Sequence, residues 1–228
     1  MTSSLHQELT DLKINLLKMG SMVEEALEKS MEALNRRDGA LASGVIEDDD
    51  QINAMENQID QQCLRLLALK QPMAMDLRYI TMGMKINLGL ERIGDQAVNI
   101  AQRTLLLVEE PLLIKPLGLN KLAGISGKML RDSMDAFVNR DVKLAESVCL
   151  RDDEADAIYL RLVCDIMEHM TEDQAFVVQG VHFTVIAHNL ERVADQATNI
   201  CEDVVYMVEG RVIKHKALFE SSGPREDE

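Results

Sequence analysis

Residues 90–100 read LERIGDQAVNI, and residues 190–200 read LERVADQATNI. Eight of the eleven positions are identical at an offset of 100 residues, and two of the three differences exchange one small or aliphatic residue for another. A match of this length within one chain indicates that the protein consists of two copies of one unit. The fold should therefore contain the same structural element twice.

The apolar positions of this repeated segment recur with the period of an α-helix. They predict a stripe that faces the core in each copy. The stripe comprises Leu90, Ile93, Ala97 and Ile100 in the first copy, and Leu190, Val193, Ala197 and Ile200 in the second. The segment should therefore form one amphipathic helix in each unit.

Matching signals outside the segment extend the repeat to three helices per unit. Arg37-Asp38 recurs as Arg140-Asp141 at an offset of 103, each pair at a turn between helical patterns. Two prolines close together in residues 109–116 mark the linker between the units. We expect an all-α fold, a tandem duplication of a three-helix bundle with six long antiparallel helices. Its units are residues 1–110 and 117–212, followed by a tail at 213–228 that is expected to be disordered.

Two local assignments follow from the same patterns. Asp76 is predicted to cap the third helix, which should start after the turn containing Pro72. The four cysteines, none of them in a Cys-x-x-Cys motif, fall in helical patterns and are expected to be buried free thiols of a reducing cytoplasm.

Composition limits the partners and the location. The net charge of −15 makes nucleic acid and anionic lipid unfavourable direct partners and favours metal ions or basic protein surfaces. The first residues carry neither a basic nor an apolar signal-peptide region, and no apolar run approaches the length of a membrane span. A cytoplasmic protein is therefore expected.

A second stripe of the repeated helix carries polar oxygens. Glu91, Asp95 and Asn99 lie one turn apart, and the second copy repeats all three residue types with Glu191 and Asp195. Carboxylates at this spacing repel each other unless a cation lies between them. Hard oxygen ligands suit Mg, Ca, Mn or Fe.

The neighbouring helix of each unit would complete such a site. Asp50 and Asn53 lie off its apolar stripe in the first unit, and Asp153 and Asp156 do so in the second. The stripes avoid the core, so open sites near the surface are expected. The alternative is a solvated acidic face that Arg92 and Arg192 neutralise.

No sequence signal for catalysis is present. The chain has no glycine-rich phosphate loop, no Gly-x-Ser-x-Gly and no His-Glu-x-x-His. This favours a protein that binds metal and docks onto other proteins, and that is not an enzyme. A metal-dependent enzyme or metal store that uses the carboxylate pairs is the alternative, and a purely structural adaptor is a third hypothesis.

The repeated Glu-Arg-x-x-Asp, together with Pro-x-Ala-x-Asp-Leu-Arg at residues 72–78, resembles the PhoU family of bacterial phosphate-signalling regulators. The resemblance covers roughly residues 5–212, although the second unit lacks the Asp-Leu-Arg opening. It implies two similar three-helix bundles and a negative regulator of the phosphate-starvation response.

The same resemblance implies the partners and the cofactor. The partners would be the ATPase subunit of the phosphate ABC transporter and a membrane-bound sensor histidine kinase. Multinuclear metal clusters would lie at the two Glu-x-x-x-Asp motifs, with Fe, Zn, Mn or Mg as the candidate metals. A homodimer is expected from the family and from apolar residues on the polar side, such as Leu88 and Leu106.

Overall fold

The computed structural model describes residues 2–114, 116 and 118–213, without the side chains of residues 2–4. These residues form six α-helices and no strand. The helices are α1 (Thr2–Arg36), α2 (Gly39–Lys70), α3 (Met75–Glu109), α4 (Gly118–Asn139), α5 (Val142–Glu172) and α6 (Val177–Glu209). The predicted all-α fold is confirmed, while most of the predicted tail, residues 214–228, lies outside the described residues.

The first turn of each unit has the same construction. Arg37 and Arg140 both adopt a left-handed backbone, with φ of 56° and 54°. The next residue, Asp38 or Asp141, caps the following helix because its side chain accepts a backbone N–H of the first helical turn. The duplication therefore extends to backbone conformation and hydrogen bonding.

The second turns differ, and one prediction about them is wrong. The N-cap residue of α3 is Ala74, which has a φ of 46° and makes no capping hydrogen bond with its side chain. Asp76 therefore lies within the first turn of the helix. There its charge still interacts favourably with the helix N-terminus. In the second unit Asp173 caps a short 3-10 helix, Gln174–Phe176, which leads into α6. The two hairpins thus reach their long final helices by different routes.

The two units pack through α3 and α6, which run antiparallel. The guanidinium of Arg78 donates to the carbonyl of Met207 at 3.3 Å, and Lys85 Nζ lies 3.2 Å from Asp203 Oδ1. Residues later in α3 contact residues earlier in α6, so the two helices run antiparallel. α1 and α4 also pack together, whereas α2 and α5 lie outside, one beside each central helix.

The predicted apolar stripes form the centre of the core. All of their residues are buried: Leu90, Ile93, Ala97, Ile100, Leu190, Val193, Ala197 and Ile200. Burying each of the larger side chains stabilises the fold by about 1.5–3 kcal/mol. Because this stripe faces inward, the polar stripe of the same helix lies at its edge with α2 in the first unit and with α5 in the second.

The cysteines are not uniformly buried as predicted. Cys63 and Cys201 are buried, Cys149 is half-buried and Cys164 is exposed. The buried positions of α5 include Leu162 and Ile166, and Cys164 lies two residues from each, on the opposite side of the helix. Among the described residues, no helix is both long and apolar enough to cross a membrane.

Candidate metal centres

The first acidic cluster lies between α2 and α3. Asp49, Asn53 and Glu56 come from α2, and Glu91 and Asp95 come from α3. The Asn53 amide donates to Asp49 Oδ2 at 2.8 Å. Each helix contributes side chains one turn apart, so the cluster extends along the helix pair as a strip.

Burial and like charges act together on this cluster. The pKa of Glu91 is raised by burial first, and then by the charges of Asp95 and Glu56. The pKa of Asp49 is also raised by burial and by Asp95, although the hydrogen bond from Asn53 offsets part of that shift. These carboxylates are therefore held in a setting that disfavours their negative charge.

The structure places Asp49, and not the predicted Asp50, against α3. A Cβ atom added at Gly94 would lie 3.5 Å from Asp49 Oδ1, so this carboxylate reaches the backbone of α3. Asp50 is exposed. Sequence reasoning missed Asp49, and the available signal was partial: Asp49 follows the buried Val45 by four residues and precedes the buried Ile52 by three, but Asp48 has the same spacing in reverse. Both positions border the apolar stripe.

The second cluster, between α5 and α6, combines Asp152, Asp156, Glu191 and Asp195. Burial, followed by the charge of Asp195, raises the pKa of Glu191 to about 7, although Arg192 opposes the shift. The same two causes raise the pKa of Asp152 to about 6, with Asp156 adding to it. The pKa of Asp156 is itself raised. The ionised form of these carboxylates is therefore less favourable than that of an isolated carboxylate in water.

Asp153, predicted as a ligand, is exposed in the same way as Asp50. Its neighbour Asp152 occupies the position in the second unit that Asp49 occupies in the first, at an offset of 103. The predicted residues that do come together are Asn53, Glu91 and Asp95 in one unit, and Asp156, Glu191 and Asp195 in the other. The expected open geometry is also modified, because Glu191 keeps only 17% of its side chain exposed.

Two basic side chains lie beside the second cluster. His188 Nδ1 is 3.4 Å from Glu191 Oε2, and Arg192 Nη1 is 3.1 Å from Asp195 Oδ2. Both basic groups are about half exposed. Arg192 offsets the charge of the cluster from its solvent-exposed side, and His188 does so only in its protonated form.

The donor set fits a hard cation. Asp152 Oδ1 and Glu191 Oε2 are buried oxygens that lack a well-formed hydrogen bond, although Thr198 interacts with Asp152 and the His188 ring nitrogen lies 3.4 Å from Glu191 Oε2. Buried carboxylate oxygens without well-formed hydrogen bonds are costly, and a cation would satisfy them. The described residues nevertheless hold no group of three His, Cys, Asp or Glu side chains already arranged around a metal position. Ligation would therefore require the carboxylates of neighbouring helices to move together.

The comparisons with known proteins agree with the duplication. A family model described as the PhoU domain matches residues 16–104 and again residues 119–204, one match within each three-helix unit. The fold and the paired clusters therefore define a protein with two PhoU domains. The chain belongs to the PhoU family, as the sequence motifs indicated.

Individual relatives match over nearly their whole length. A phosphate-specific transport system accessory protein PhoU homolog of Aquifex aeolicus is 39% identical over 216 residues, which cover 95% of this chain and 98% of the relative. The crystal structure of PhoU from Pseudomonas aeruginosa superposes with a TM-score of 0.88 at 37% identity, covering 90% of this chain and 99% of that one. The name of the Aquifex aeolicus relative describes an accessory protein of phosphate-specific transport.

A second solved structure supports the same assignment. The phosphate transport system regulatory protein PhoU from Streptococcus pneumoniae has a TM-score of 0.86 at 32% identity. It covers 92% of this chain and 99% of its own chain. The shared architecture therefore extends over both units and the packing between them.

Proposed function

We propose that this chain is a regulatory accessory protein of a phosphate-specific transport system. More specifically, it acts in the cytoplasm as a negative regulator of the phosphate-starvation response and has no catalytic activity of its own. The observation that carries the proposal is the match to the Aquifex aeolicus accessory protein over 95% of this chain. The absence of catalytic motifs from the sequence agrees with it.

The proposed partners are the ATPase subunit of the phosphate ABC transporter and a sensor histidine kinase. A bridging role needs a protein with two docking faces, and the two units present related helical faces on either side of the packed α3–α6 pair. The net charge of −15 favours partner surfaces that are basic.

A complementation assay tests the regulatory role. A bacterial host lacking its own PhoU protein carries a reporter under a phosphate-starvation promoter, which is active even when phosphate is plentiful. Expression of this chain is expected to repress the reporter at high phosphate. Co-purification with the host ATPase subunit and kinase, each expressed singly, should show binding to both. A chain that folds and binds neither partner would contradict the bridging role.

We further propose that each acidic cluster binds a divalent cation or a multinuclear metal centre. The first would use Glu91 and Asp95 with Asn53, and the second Glu191 and Asp195 with Asp156. The α2 and α5 acids that complete them are Asp49 and Asp152 rather than Asp50 and Asp153, because the former reach the neighbouring helix. A bound cation would neutralise the repelling carboxylates and tie α2 to α3 and α5 to α6.

Elemental analysis with matched variants tests the metal proposal. Protein purified without chelator and supplied with Mg, Mn, Fe and Zn should retain metal. The Glu91→Ala/Asp95→Ala and Glu191→Ala/Asp195→Ala pairs should each lose the metal of one unit. Asp49→Ala should lose metal and its neighbour Asp50→Ala should not, with the same contrast between Asp152→Ala and Asp153→Ala. Equal metal content in all variants would contradict the assignment.

We also propose that the chain forms a homodimer. Leu88 and Leu106, on the outer side of α3, remain 45% and 46% exposed within one chain. Exposed leucines on an otherwise polar face are typical of a covered surface. Sedimentation analysis should give a dimer that Leu88→Glu converts to monomer, whereas the same change at the exposed Leu150 of α5 serves as control.

A further inference from the structure

Two cysteines face each other across the α5–α6 pair. The rings of Tyr159 and His188 lie 6.2 Å apart, and Cys149 Sγ lies 3.9 Å from the carbonyl oxygen of Thr198. The two helices therefore run antiparallel, and Cys201, one turn beyond Thr198 on the same side of α6, lies next to Cys149. The Cys149 thiol donates to the Thr198 carbonyl, and the Cys201 thiol interacts with the Cys149 sulfur.

The surroundings of the pair make its members unequal. Cys149 is half-buried at the edge of the helix pair, whereas Cys201 is fully buried. Interaction with the Cys201 thiol lowers the pKa of Cys149, whereas the same interaction together with burial raises the pKa of Cys201. One thiol is thus reachable and inclined to ionise, with a second sulfur directly behind it, which is the arrangement of redox-active cysteines.

The other unit provides an internal comparison. The positions equivalent to Cys149 and Cys201 are Ile46 and Ala101, at offsets of 103 and 100. The same helix pair therefore packs without thiols, and core packing alone does not require cysteine at either position. Cys63, in the first unit, is isolated in the core, and burial raises its pKa to about 12.

We propose that Cys149 and Cys201 are a peroxide-reactive dithiol that closes to a disulfide between α5 and α6. The Cys149 thiolate attacks one oxygen of hydrogen peroxide, forming an S–O bond as the O–O bond breaks and hydroxide leaves. The Cys201 sulfur then attacks the Cys149 sulfur, forming the S–S bond and expelling hydroxide. The two thiol protons complete two water molecules, so two electrons pass from the thiols to the peroxide.

The consequence is confined to the second unit. The disulfide would join α5 and α6 one turn from Asp152 and so restrict the relative movement of the two helices that carry the second acidic cluster. The first unit cannot respond because it has no thiol at these positions. This inference does not depend on the proposed metal or on phosphate regulation, since it concerns only the two thiols.

Peptide mapping after mild oxidation tests the proposal. Full-length protein, stripped of metal with a chelator, is treated with one equivalent of hydrogen peroxide, blocked with iodoacetamide and digested with trypsin without reductant. Peptides 144–151 and 193–211 should appear linked and lighter by two hydrogen atoms, and dithiothreitol should separate them. The free thiols of Cys149 and Cys201 should be oxidised about tenfold faster than the thiol of the exposed Cys164.

Two variants make the result specific. Cys164→Ser should leave the linked peptide unchanged. Cys201→Ala, which installs the first-unit residue, should abolish the link and leave Cys149 as a sulfenic acid that dimedone traps. The proposal is overturned if Cys149 and Cys201 stay reduced while Cys164 oxidises, or if wild-type Cys149 reaches sulfinic acid without forming the link.

Discussion

The two acidic clusters occupy the same place in the two units but differ in the strength of their internal repulsion. Asn53 in the first cluster is replaced by Asp156 in the second, at an offset of 103. In the first, the amide donates a hydrogen bond to Asp49. In the second, the carboxylate adds a charge that raises the pKa of both Asp152 and Glu191. One side chain thus converts a partly satisfied cluster into one with higher electrostatic cost.

A second exchange redistributes the charge rather than removing it. Glu56, which raises the pKa of Glu91 in the first unit, corresponds to Tyr159 in the second. Both clusters therefore keep a similar number of acids but concentrate them at different heights along the helix pair. The difference shows that a duplicated framework can support two sites with distinct electrostatic properties.

The largest effects should be equal in the two units, because they arise from the shared core. Leu90 and Leu190 are both fully buried at equivalent positions. Leu90→Ala and Leu190→Ala should each lower the free energy of unfolding by about 2–5 kcal/mol, from lost apolar burial and the cavity left behind. Urea denaturation measures both. Values that differ by more than about twofold would mean that the two cores are not equivalent.

A smaller change in stability should distinguish the first acidic cluster from the second. Asn53→Asp replaces the amide that donates to Asp49 at 2.8 Å with another carboxylate. Loss of that hydrogen bond to a charged acceptor, together with the new repulsion, should destabilise the metal-free protein by about 1–2 kcal/mol near neutral pH. Thermal unfolding in chelator should show a loss that shrinks in acid, where both groups are protonated. Gln58→Glu, which adds a charge at an exposed position away from the cluster, is the control.

The helix caps should again give equal effects. Asp38→Ala and Asp141→Ala each remove a side-chain acceptor for the first turn of a helix, at the same turn geometry. Each should cost about 1 kcal/mol of unfolding free energy. Asp→Asn at either position keeps an acceptor and should cost only a few tenths of a kcal/mol. A clear inequality between the two alanine variants would count against the equivalence of the first turns.

Much of the fold could be predicted from the sequence because it depends on periodicity. The apolar stripes of residues 90–100 and 190–200, the recurring Arg-Asp turns and the two-proline linker specify six helices in two units. The start of α3 could not be read in the same way. Asp76 is a good capping residue, but the N-cap position of α3 is Ala74, and the positive φ of Ala74 has no signature in the sequence.

The α3 and α6 residues of each site could be predicted, but the α2 and α5 residues could not, because the sequence motif does not define how those helices are rotated about their axes. Glu91, Asp95 and their repeats are defined by their motif, but the partner helix carries three consecutive acids, Asp48, Asp49 and Asp50. Composition cannot choose among them, since successive residues differ by about 100° around a helix. Position relative to the buried Val45 and Ile52 excludes Asp50 but not Asp48, which borders the opposite edge of the same apolar stripe. Only the packing of the helices places Asp48 beside Lys29 of α1 and Asp49 against α3. The depth of burial of each carboxylate depends on packing between helices, which periodicity alone does not supply.

The smallest effect tests the contribution of Asp156, and its sign follows from the raised pKa values. Glu191 and Asp152 have pKa values of about 7 and about 6 in the folded chain, above their ordinary 4.5 and 3.8. A carboxyl whose pKa is higher in the folded state contributes stability that is fully present below its unfolded pKa and is lost as the pH rises through the folded value. Metal-free protein should therefore lose stability between about pH 4 and about pH 8.

Asp156→Asn should reduce that loss by several tenths of a kcal/mol, a modest amount because Asp156 is exposed and solvent screens its charge. Carbon-13 NMR of the Glu191 carboxyl should show a pKa lower by a few tenths to about one unit. Asp153→Asn changes the net charge equally at an exposed neighbour and should leave that pKa nearly unchanged. If both variants lower the pKa of Glu191 by the same amount, then net charge, and not the position of Asp156, causes the higher pKa values of the second cluster.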